Sequence, residues 1–581
     1  MSLFSELSEV ISGEVDVFQN TLDRVSHDAS IFEVEPRALV SPKDAKDVEA
    51  LVNYANNHSG INLTARSAGT DMSGGPLGNS VIVDFTKHFD QIKHVENAYA
   101  VVEPGVYYRD FDKATLAKGG VILPSFPASR ELCTVGGMVA NNSGGEKTLT
   151  YGKTEKYVHR LKMVTADGKE HEFAPMTLAE LEQHKKFPSF ESEIYRKMHE
   201  LIVNNYEVIM HAKPTVTKNS CGYYLWNVMY DRPKINGAGK FDGTEKVFDL
   251  TKMIVGSQGT LGLVTEIEFG LIKPKPFSRL LIIFLKDMKQ LGDIATHVMK
   301  FKPESFESYD DHTFRVALKF LPSLIKKMKG NFISMAFKFL PEALAVLRGG
   351  VPKMVLMAEF TGNTEEEALK KATEAHESLV QWENENPSGN QNYKRKVESR
   401  VTSSASDAEK YWTIRRESFN MLRQHVKELR TAPFIDDFVV RPELLPGFLP
   451  LLYGILDQYK HLTYTIAGHV GDGNFHIIPL MNLHNPSAHK TIEELSVKVY
   501  KLVHEFNGSI TGEHNDGIIR TPFVKMQYGD RVYGLFEEVK KIWDPRGIFN
   551  PGKKVAGSEK DSGGGGKDGG TFKFAFEHIV K

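Results

Sequence analysis

The chain has 581 residues, room for about three to four domains at roughly 150 residues each, and its 41% hydrophobic and 25% charged content excludes wholesale disorder and collagen-like structure. With 72 Lys+Arg against 74 Asp+Glu the net charge is −2, so no global field gathers nucleic acid. The two cysteines, Cys133 and Cys221, exclude a disulfide framework and any iron–sulfur cluster held by four thiolates of this chain.

The opening MSLFSELSEVISGEVDVF carries acids where a signal peptide needs a basic region and a long apolar run, and no stretch of about 18 apolar residues occurs anywhere. The expectation is a soluble, cytoplasmic protein, with peripheral contact at the inner face of a membrane left open. Residues 1–30 read as a helical lead. Ser41-Pro42-Lys43-Asp44 reads as a helix start with Ser41 as cap. Ala45, Val48, Leu51, Val52 and Ala55 follow at helical spacing, and Gly60 ends the run. Short strands are expected at Ile61–Ala65, Val81–Phe85 and Ala100–Glu103, then a helix at Tyr107–Lys118 and a strand at Val121–Leu123. Pro274 and Pro276 mark a boundary. Beyond it come a strand at Leu280–Leu285, a helix at Lys286–Lys300, a strand at Met354–Phe360 and an amphipathic helix at Glu365–Trp382. Pro322–Gly350 reads as an amphipathic helical insert. The tail holds a Gly-rich run, and TFKFAFEHIVK after it reads as a small docking element.

Glycines cluster at Gly69–Gly78, Gly136–Gly145 and Gly256–Gly262, where backbone N–H groups can approach a ligand closely. Gly152-Lys153-Thr154 is not a P-loop, because Lys147 stands where the motif needs glycine, and no G-x-G-x-x-G dinucleotide fingerprint occurs. Each cluster alone could be a set of tight turns.

Near the C-terminus, His469-Val470-Gly471-Asp472-Gly473-Asn474-Phe475-His476 lies between strand-like Tyr464–Ala467 and Ile477–Leu480, with Gly-Asp-Gly as the turn. In a hairpin the two imidazoles face each other across the strands, where Cβ atoms lie about 4.5–5.5 Å apart. On one continuous strand they would point to opposite faces. Glu513, in Gly512-Glu513-His514-Asn515-Asp516-Gly517, could complete a two-His, one-carboxylate site for a divalent metal. Two structural histidines and a solvated acid fit the spacing as well.

Three segments together resemble the FAD-binding domain of the vanillyl-alcohol oxidase/p-cresol methylhydroxylase family. They are Thr64-Ala65-Arg66-Ser67-Ala68-Gly69-Thr70-Asp71-Met72-Ser73-Gly74, Thr134-Val135-Gly136-Gly137-Met138-Val139-Ala140-Asn141-Asn142-Ser143-Gly144-Gly145, and Gly256-Ser257-Gln258-Gly259-Thr260-Leu261-Gly262-Leu263-Val264-Thr265-Glu266. With the histidine block, the chain resembles the FAD-linked D-2-hydroxyacid dehydrogenases over about residues 30–555.

The resemblance implies an α+β fold: a two-part FAD-binding domain of the p-cresol methylhydroxylase type over 31–275, an antiparallel-sheet substrate (cap) domain over 276–480, a helical segment over 481–555 returning to the flavin, and a flexible tail over 556–581. It implies FAD held by Arg66, Ser67, Ala68, Gly69, Thr70, Asp71, Ser73, Thr134, Gly136, Gly137, Asn141, Gly144, Gln258, Gly259, Val264 and Asn550. The FAD is expected to be non-covalent, because no His, Cys or Tyr lies between Arg66 and Gly75. His469, His476 and Glu513 match the metal ligands, for Zn or else Mn or Fe. His514 matches the base, and Arg415 the arginine that takes the substrate carboxylate. The implied reaction oxidises a small D-2-hydroxy acid of the D-lactate, glycolate or D-2-hydroxyglutarate class to the 2-oxo acid, with hydride passing to flavin N5.

Asn515 replaces a common glycine; Asn tolerates a left-handed backbone better than most residues. No lysine precedes the aspartates of Phe434-Ile435-Asp436-Asp437, and Ile478 stands where an asparagine is usual. Both departures weaken a specific assignment to hydroxyglutarate. The C-terminal block resembles long bacterial flavoproteins that continue into an iron–sulfur domain, so a separate iron–sulfur electron-acceptor subunit is the expected partner. The competing readings are a same-fold oxidase of another alcohol and a flavin-bound electron-transfer subunit.

Overall fold

A computed structural model describes residues 2–235, 241–311, 313–315, 350–385, 397–425, 429–460, 462–556, 575 and 577–580, with side chains of 234, 235, 241 and 417–425 excepted. The helical insert expected over Pro322–Gly350 and most of the Gly-rich tail lie outside these residues.

Strands β1 (Glu14–Asp16), β2 (Ala38–Ser41), β3 (Leu63–Arg66) and β4 (Val81–Asp84) form a sheet in the order β1-β2-β4-β3, with β2 and β3 parallel to β4. The helix Ala45–Asn57 buries Val48, Leu51, Val52 and Ala55 at the spacing its sequence shows. Its cap is Asp44, which accepts from the N–H groups of Lys46 and Asp47. Ser41 is not the cap; it ends β2, paired with Glu14.

A five-stranded antiparallel sheet follows: β5 (Ile92–Val95), β6 (Tyr99–Val102), β7 (Val158–Val164) and β8 (Glu170–Phe173). A small sheet of β9 (Met176–Thr177), β10 (Met229–Ile235) and β11 (Phe241–Phe248) intervenes before β12 (Leu263–Gly270), which enters the five-stranded sheet between β6 and β7. The expected strand at Val121–Leu123 reduces to one bridge, Ile122 to Ile272.

The remaining strands make an antiparallel sheet: β13 (Phe277–Leu285), β14 (Ser305–Asp310), β15 (Met354–Gly362), β16 (Glu398–Val401), β17 (Arg430–Thr431), β18 (Phe438–Val439), β19 (Thr463–His469) and β20 (Asn474–Met481). Their order is β16-β13-β15-β14-β19-β20-β17, with β18 also on β20. Central β15 is buried along its whole length, which explains its nearly unbroken apolar run. The helix expected from Lys286 starts at Leu291, after a short 3-10 turn that Asp287 caps.

Two helices, Pro486–Glu505 and Gly517–Trp543, lead back to the first sheet; the second breaks at Gly529, whose φ is +75°. Phe549 then bridges Leu63 in parallel, and Phe549 and Ile548 join the core under the first sheet. The last residues dock as well: Ile579 bridges Phe32, and Ala575, Ile579 and Val580 are buried. Among the described residues, no helix is long and apolar enough to cross a membrane.

Candidate active site

The β19–β20 hairpin supplies the two histidines. Its register pairs Ala467 with His476 and His469 with Asn474. His469 and His476 therefore do not stand directly opposite, as the sequence leads one to expect; they are diagonal neighbours on one face, rings 5.4 Å apart and 85° inclined. The turn is a 3-10 turn over Val470–Asp472 closed by Gly473 at φ +67°. A Cβ there would collide with the Val440 carbonyl oxygen, so only glycine fits.

Glu513 and His514 come from the loop that precedes the last long helix. Asp437, itself left-handed at φ +69°, holds that loop in place. Its carboxylate accepts from the N–H groups of Glu513 (2.9 Å) and His514 (2.7 Å) and from the Thr511 hydroxyl (2.6 Å). Asn515 takes φ +69°, the left-handed backbone expected of asparagine there.

Three imidazoles converge on one oxygen. Glu513 Oε1 lies 3.2 Å from His469 Nε2, 3.5 Å from His476 Nε2 and 3.8 Å from His514 Nε2. Each far nitrogen, Nδ1, lies against a carboxylate: His469 on Glu307 (2.7 Å), His476 on Asp436 (2.9 Å) and His514 on Asp436 (2.7 Å). That arrangement favours a proton on Nδ1 and leaves Nε2 of each ring as the nitrogen that faces Glu513. Lone pairs aimed at a carboxylate repel unless protons or a cation lie between them. Tetrahedral arms of about 2.0–2.1 Å give ligand–ligand edges of roughly 3.3 Å, close to the separations here, so the donor set fits a divalent ion. Asp437, His476, Glu513 and His514 also offer ligand atoms within 4.8 Å of one another; the Asp437 oxygens are already taken by the loop's N–H groups.

The second Glu513 oxygen, Oε2, accepts from Lys218 Nζ at 3.0 Å, and Lys218 lies 3.6 Å from Asp472. Burial would raise the Glu513 pKa, but Lys218 and His469 outweigh it and hold the carboxyl well below its usual range. Burial opposes charging His476, yet Asp436 and Glu513 lift it to about 10. For His514, Asp437 and Asp436 likewise overcome burial and raise the pKa.

A cavity of about 790 Å³, within the range of cofactor sites, joins this nest to the glycine loops. Ser67, Ala68, Gly69, Thr70, Asp71, Thr134, Gly136, Gly137, Asn141, Gly144, Gln258, Gly259 and Val264 line it, with Arg415, His469, His476, Glu513 and His514. A Cβ on Gly137 would meet only Thr134 Oγ1 and Ser67 Cβ within 4 Å, so the wall is bare backbone where a ligand can lie close. Arg66, Ser73 and Asn550 are not among the lining residues. The Arg66 guanidinium donates to the Val25 and His27 carbonyls. The Ser73 hydroxyl donates to Asp71. Asn550 accepts from Thr64 and donates to the carbonyls of Gly75 and Gln258, tying two glycine loops together. Gln258 donates to Asn141 and accepts from Gly517 N–H.

Arg415 is in ion contact with Glu307, the same carboxylate that holds His469. Glu307, Asp436, Asp437 and Lys218 escape the sequence reading. The paired aspartates beside an apolar run were the legible signal for two of them. Glu307, an acid in a fully buried strand, was a third. Lys218 carries no local signal. Lys153, of the rejected P-loop, has its Nζ on the Asn219 and Gly512 carbonyls and Ser220 Oγ.

Residues 36–174 match the family described as FAD binding domain, and residues 275–554 match FAD linked oxidases, C-terminal domain. A D-2-hydroxyglutarate dehydrogenase of Pseudomonas putida is 26% identical over 93% of this chain and 50% of its own length, so the chain spans about half of that relative. The glycolate oxidase subunit GlcD of Bacillus subtilis is 24% identical over 91% of this chain and 92% of its own. Among solved structures, 4-ethylphenol oxidase from Gulosibacter chungangensis superposes with a TM-score of 0.65 at 16% identity, covering 96% of this chain and 97% of that one. p-Cresol methylhydroxylase with substrate bound gives 0.60 at 15%, covering 95% and 96%. These structures establish the fold: the p-cresol methylhydroxylase type.

Proposed function

Because residues 36–174 match an FAD binding domain and residues 275–554 the C-terminal domain of FAD linked oxidases, we propose that the chain is a dehydrogenase that oxidises a small D-2-hydroxy acid to the 2-oxo acid, with a divalent cation polarising the substrate. The observation that carries this reading is one cavity bordered at one end by the glycine loops and at the other by three imidazoles gathered on Glu513.

Ser67–Asp71, Thr134–Asn141 and Gln258–Gly259 would hold FAD, and His469, His476 and Glu513 the cation. Bound there, FAD supplies an electron-pair acceptor and the cation a Lewis acid. His514 accepts the substrate hydroxyl proton at Nε2, its ring braced by Asp436 at the opposite nitrogen. Arg415 binds the substrate carboxylate; its contact with Glu307 fixes the guanidinium beforehand and leaves other N–H donors free for the ligand. Thr465, Ala467 and Ile478 share the sheet face with the two hairpin histidines. That small, largely apolar floor favours a short side chain on the acid. Both cysteines are buried, and electrons leave to an acceptor on another molecule, for which we propose an iron–sulfur subunit.

The test is anaerobic mixing of FAD-loaded, Zn²⁺-loaded protein with D- and L-2-hydroxy acids, with metal analysis on the same sample. Bleaching of the flavin band by a D-acid and not by its L-isomer is expected. No bleaching by any 2-hydroxy acid with Zn²⁺, Mn²⁺ or Fe²⁺ bound would reject this reading in favour of an electron-transfer subunit.

A further inference from the structure

Asp436 has no exposed surface, and its two oxygens reach two different imidazoles: Oδ1 lies 2.9 Å from His476 Nδ1 and Oδ2 2.7 Å from His514 Nδ1. The two rings stack, 5.1 Å apart and 27° inclined. The His476 contact is a hydrogen bond; the His514 contact is equally short but lies off the hydrogen-bond line, as catalytic contacts often do before substrate tightens them. The backbone at Asp436 is anchored, because the buried Arg520 guanidinium donates to the Asp436 carbonyl oxygen at 2.7 Å. The next residue, Asp437, holds the backbone of Glu513 and His514.

We propose that Asp436 is a positioning residue that sets the tautomer of His476 and His514 together, so that one carboxylate aligns both the cation ligand and the proton acceptor. This deepens the function proposed above and rests on it for the roles of the two histidines. A carboxylate is acceptor-only and can take an N–H from each ring at once. With both Nδ1 atoms protonated, both Nε2 lone pairs face Glu513 Oε1, at 3.5 and 3.8 Å. An amide in place of Asp436 has one acceptor and one donor end. It can satisfy only one Nδ1–H and must donate to the other ring, which then carries its proton on Nε2, inside the nest. The two imidazoles are therefore coupled: any change at Asp436 reaches ligand and base in the same step.

D436N is the variant, tested on full-length FAD-bound protein. Zn²⁺ affinity by competition with a chromophoric chelator is expected to fall at least about 10-fold, as when a carboxylate behind a ligating imidazole is lost. The rate of flavin bleaching by the best D-acid of the panel should change its pH profile as well as its size. D436N combined with H514Q should lose clearly less than the product of the two single losses, because the part of the Asp436 effect that runs through His514 is already gone and only the part through His476 remains. Wild-type Zn²⁺ affinity in D436N with an unchanged pH profile, or losses that multiply in the double variant, would overturn the proposal. If D436N does not retain FAD, the wild-type protein decides: with ¹⁵N-labelled histidine and Zn²⁺ bound, the resonances that vanish in H476Q and H514Q must both be Nδ1–H tautomers, and an Nε2–H tautomer for either ring refutes it. Zn²⁺ affinity and ring tautomers are read without any hydroxy acid, so failure of the substrate reading leaves these two measurements standing.

Discussion

His514 and Lys218 divide the work at the residue scale. His514 faces the cavity, with its side chain 23% exposed, and is the one imidazole of the three that solvent and ligand reach most readily. H514A is expected to retain FAD and to lose at least about 100-fold in turnover with the best D-acid; near-normal steady-state turnover would remove His514 as the base. Lys218 is fully buried and is the cation beside the far oxygen of Glu513. K218M removes the ammonium from the far oxygen of that buried carboxylate, a loss of about 3–5 kcal/mol. Urea unfolding of metal-free protein should show the deficit, and added Zn²⁺ should narrow it; an unchanged midpoint would mean that the pair is replaceable. Glu513 and the two hairpin histidines were legible as candidates from spacing and resemblance. Lys218 was not, because it sits 295 positions from Glu513 and only tertiary contact reveals it.

Elements set what single residues cannot. The apolar runs flanking Gly-Asp-Gly made the hairpin readable, yet its register was not. Diagonal and direct pairings give the same alternation in sequence, and the tight turn at Gly473 selects between them. Glu307 became a partner of His469 only through the antiparallel pairing of β14 with β19, where Ser308 faces Gly468. The helix at 45–57 shows the opposite case: its buried stripe was legible, while its cap was misplaced because two plausible capping residues lie three positions apart. The β7–β8 hairpin carries a pH-dependent contact. His171 on β8 meets Asp167 in the turn (3.0 Å) and Glu191 on the helix Phe190–Asn204 (3.4 Å). Burial opposes its charge, but the two carboxylates lift its pKa to about 9. A raised histidine stabilises the fold fully below its unfolded value near 6.5 and loses that contribution as pH rises through about 9. After allowance for solvent screening, the wild-type advantage over H171Q should be about 1–2 kcal/mol at pH 6 and should vanish by about pH 10. Chemical denaturation at a series of pH values reads it; a difference that grows with pH would refute the assignment.

At the scale of the whole molecule, segments far apart in sequence meet beside the first glycine loop. Ile579 bridges Phe32, and Phe32 packs against Gly74 of the first glycine loop, where an added Cβ would come within 2.9 Å of its ring. Truncation after Ala556 should therefore speed FAD release about 10-fold, equivalent to about 1.4 kcal/mol, as followed by recovery of flavin fluorescence; an unchanged release rate would show that the tail packs without bracing the loop. The interior of each sheet was legible from local pattern, but closure of the wall by residues hundreds of positions apart was not, since no local rule joins Thr64 to Asn550. That long tie has a biosynthetic consequence. Asn550 is the clasp between two loops that lie 183 and more residues apart in the chain, and it leaves the ribosome after both of them. A nascent polypeptide cannot fasten the wall around its prosthetic group until Asn550 has emerged, so flavin capture waits for that residue; translation stalled before Asp544 should yield colourless protein, and yellow stalled complexes would show the clasp to be dispensable.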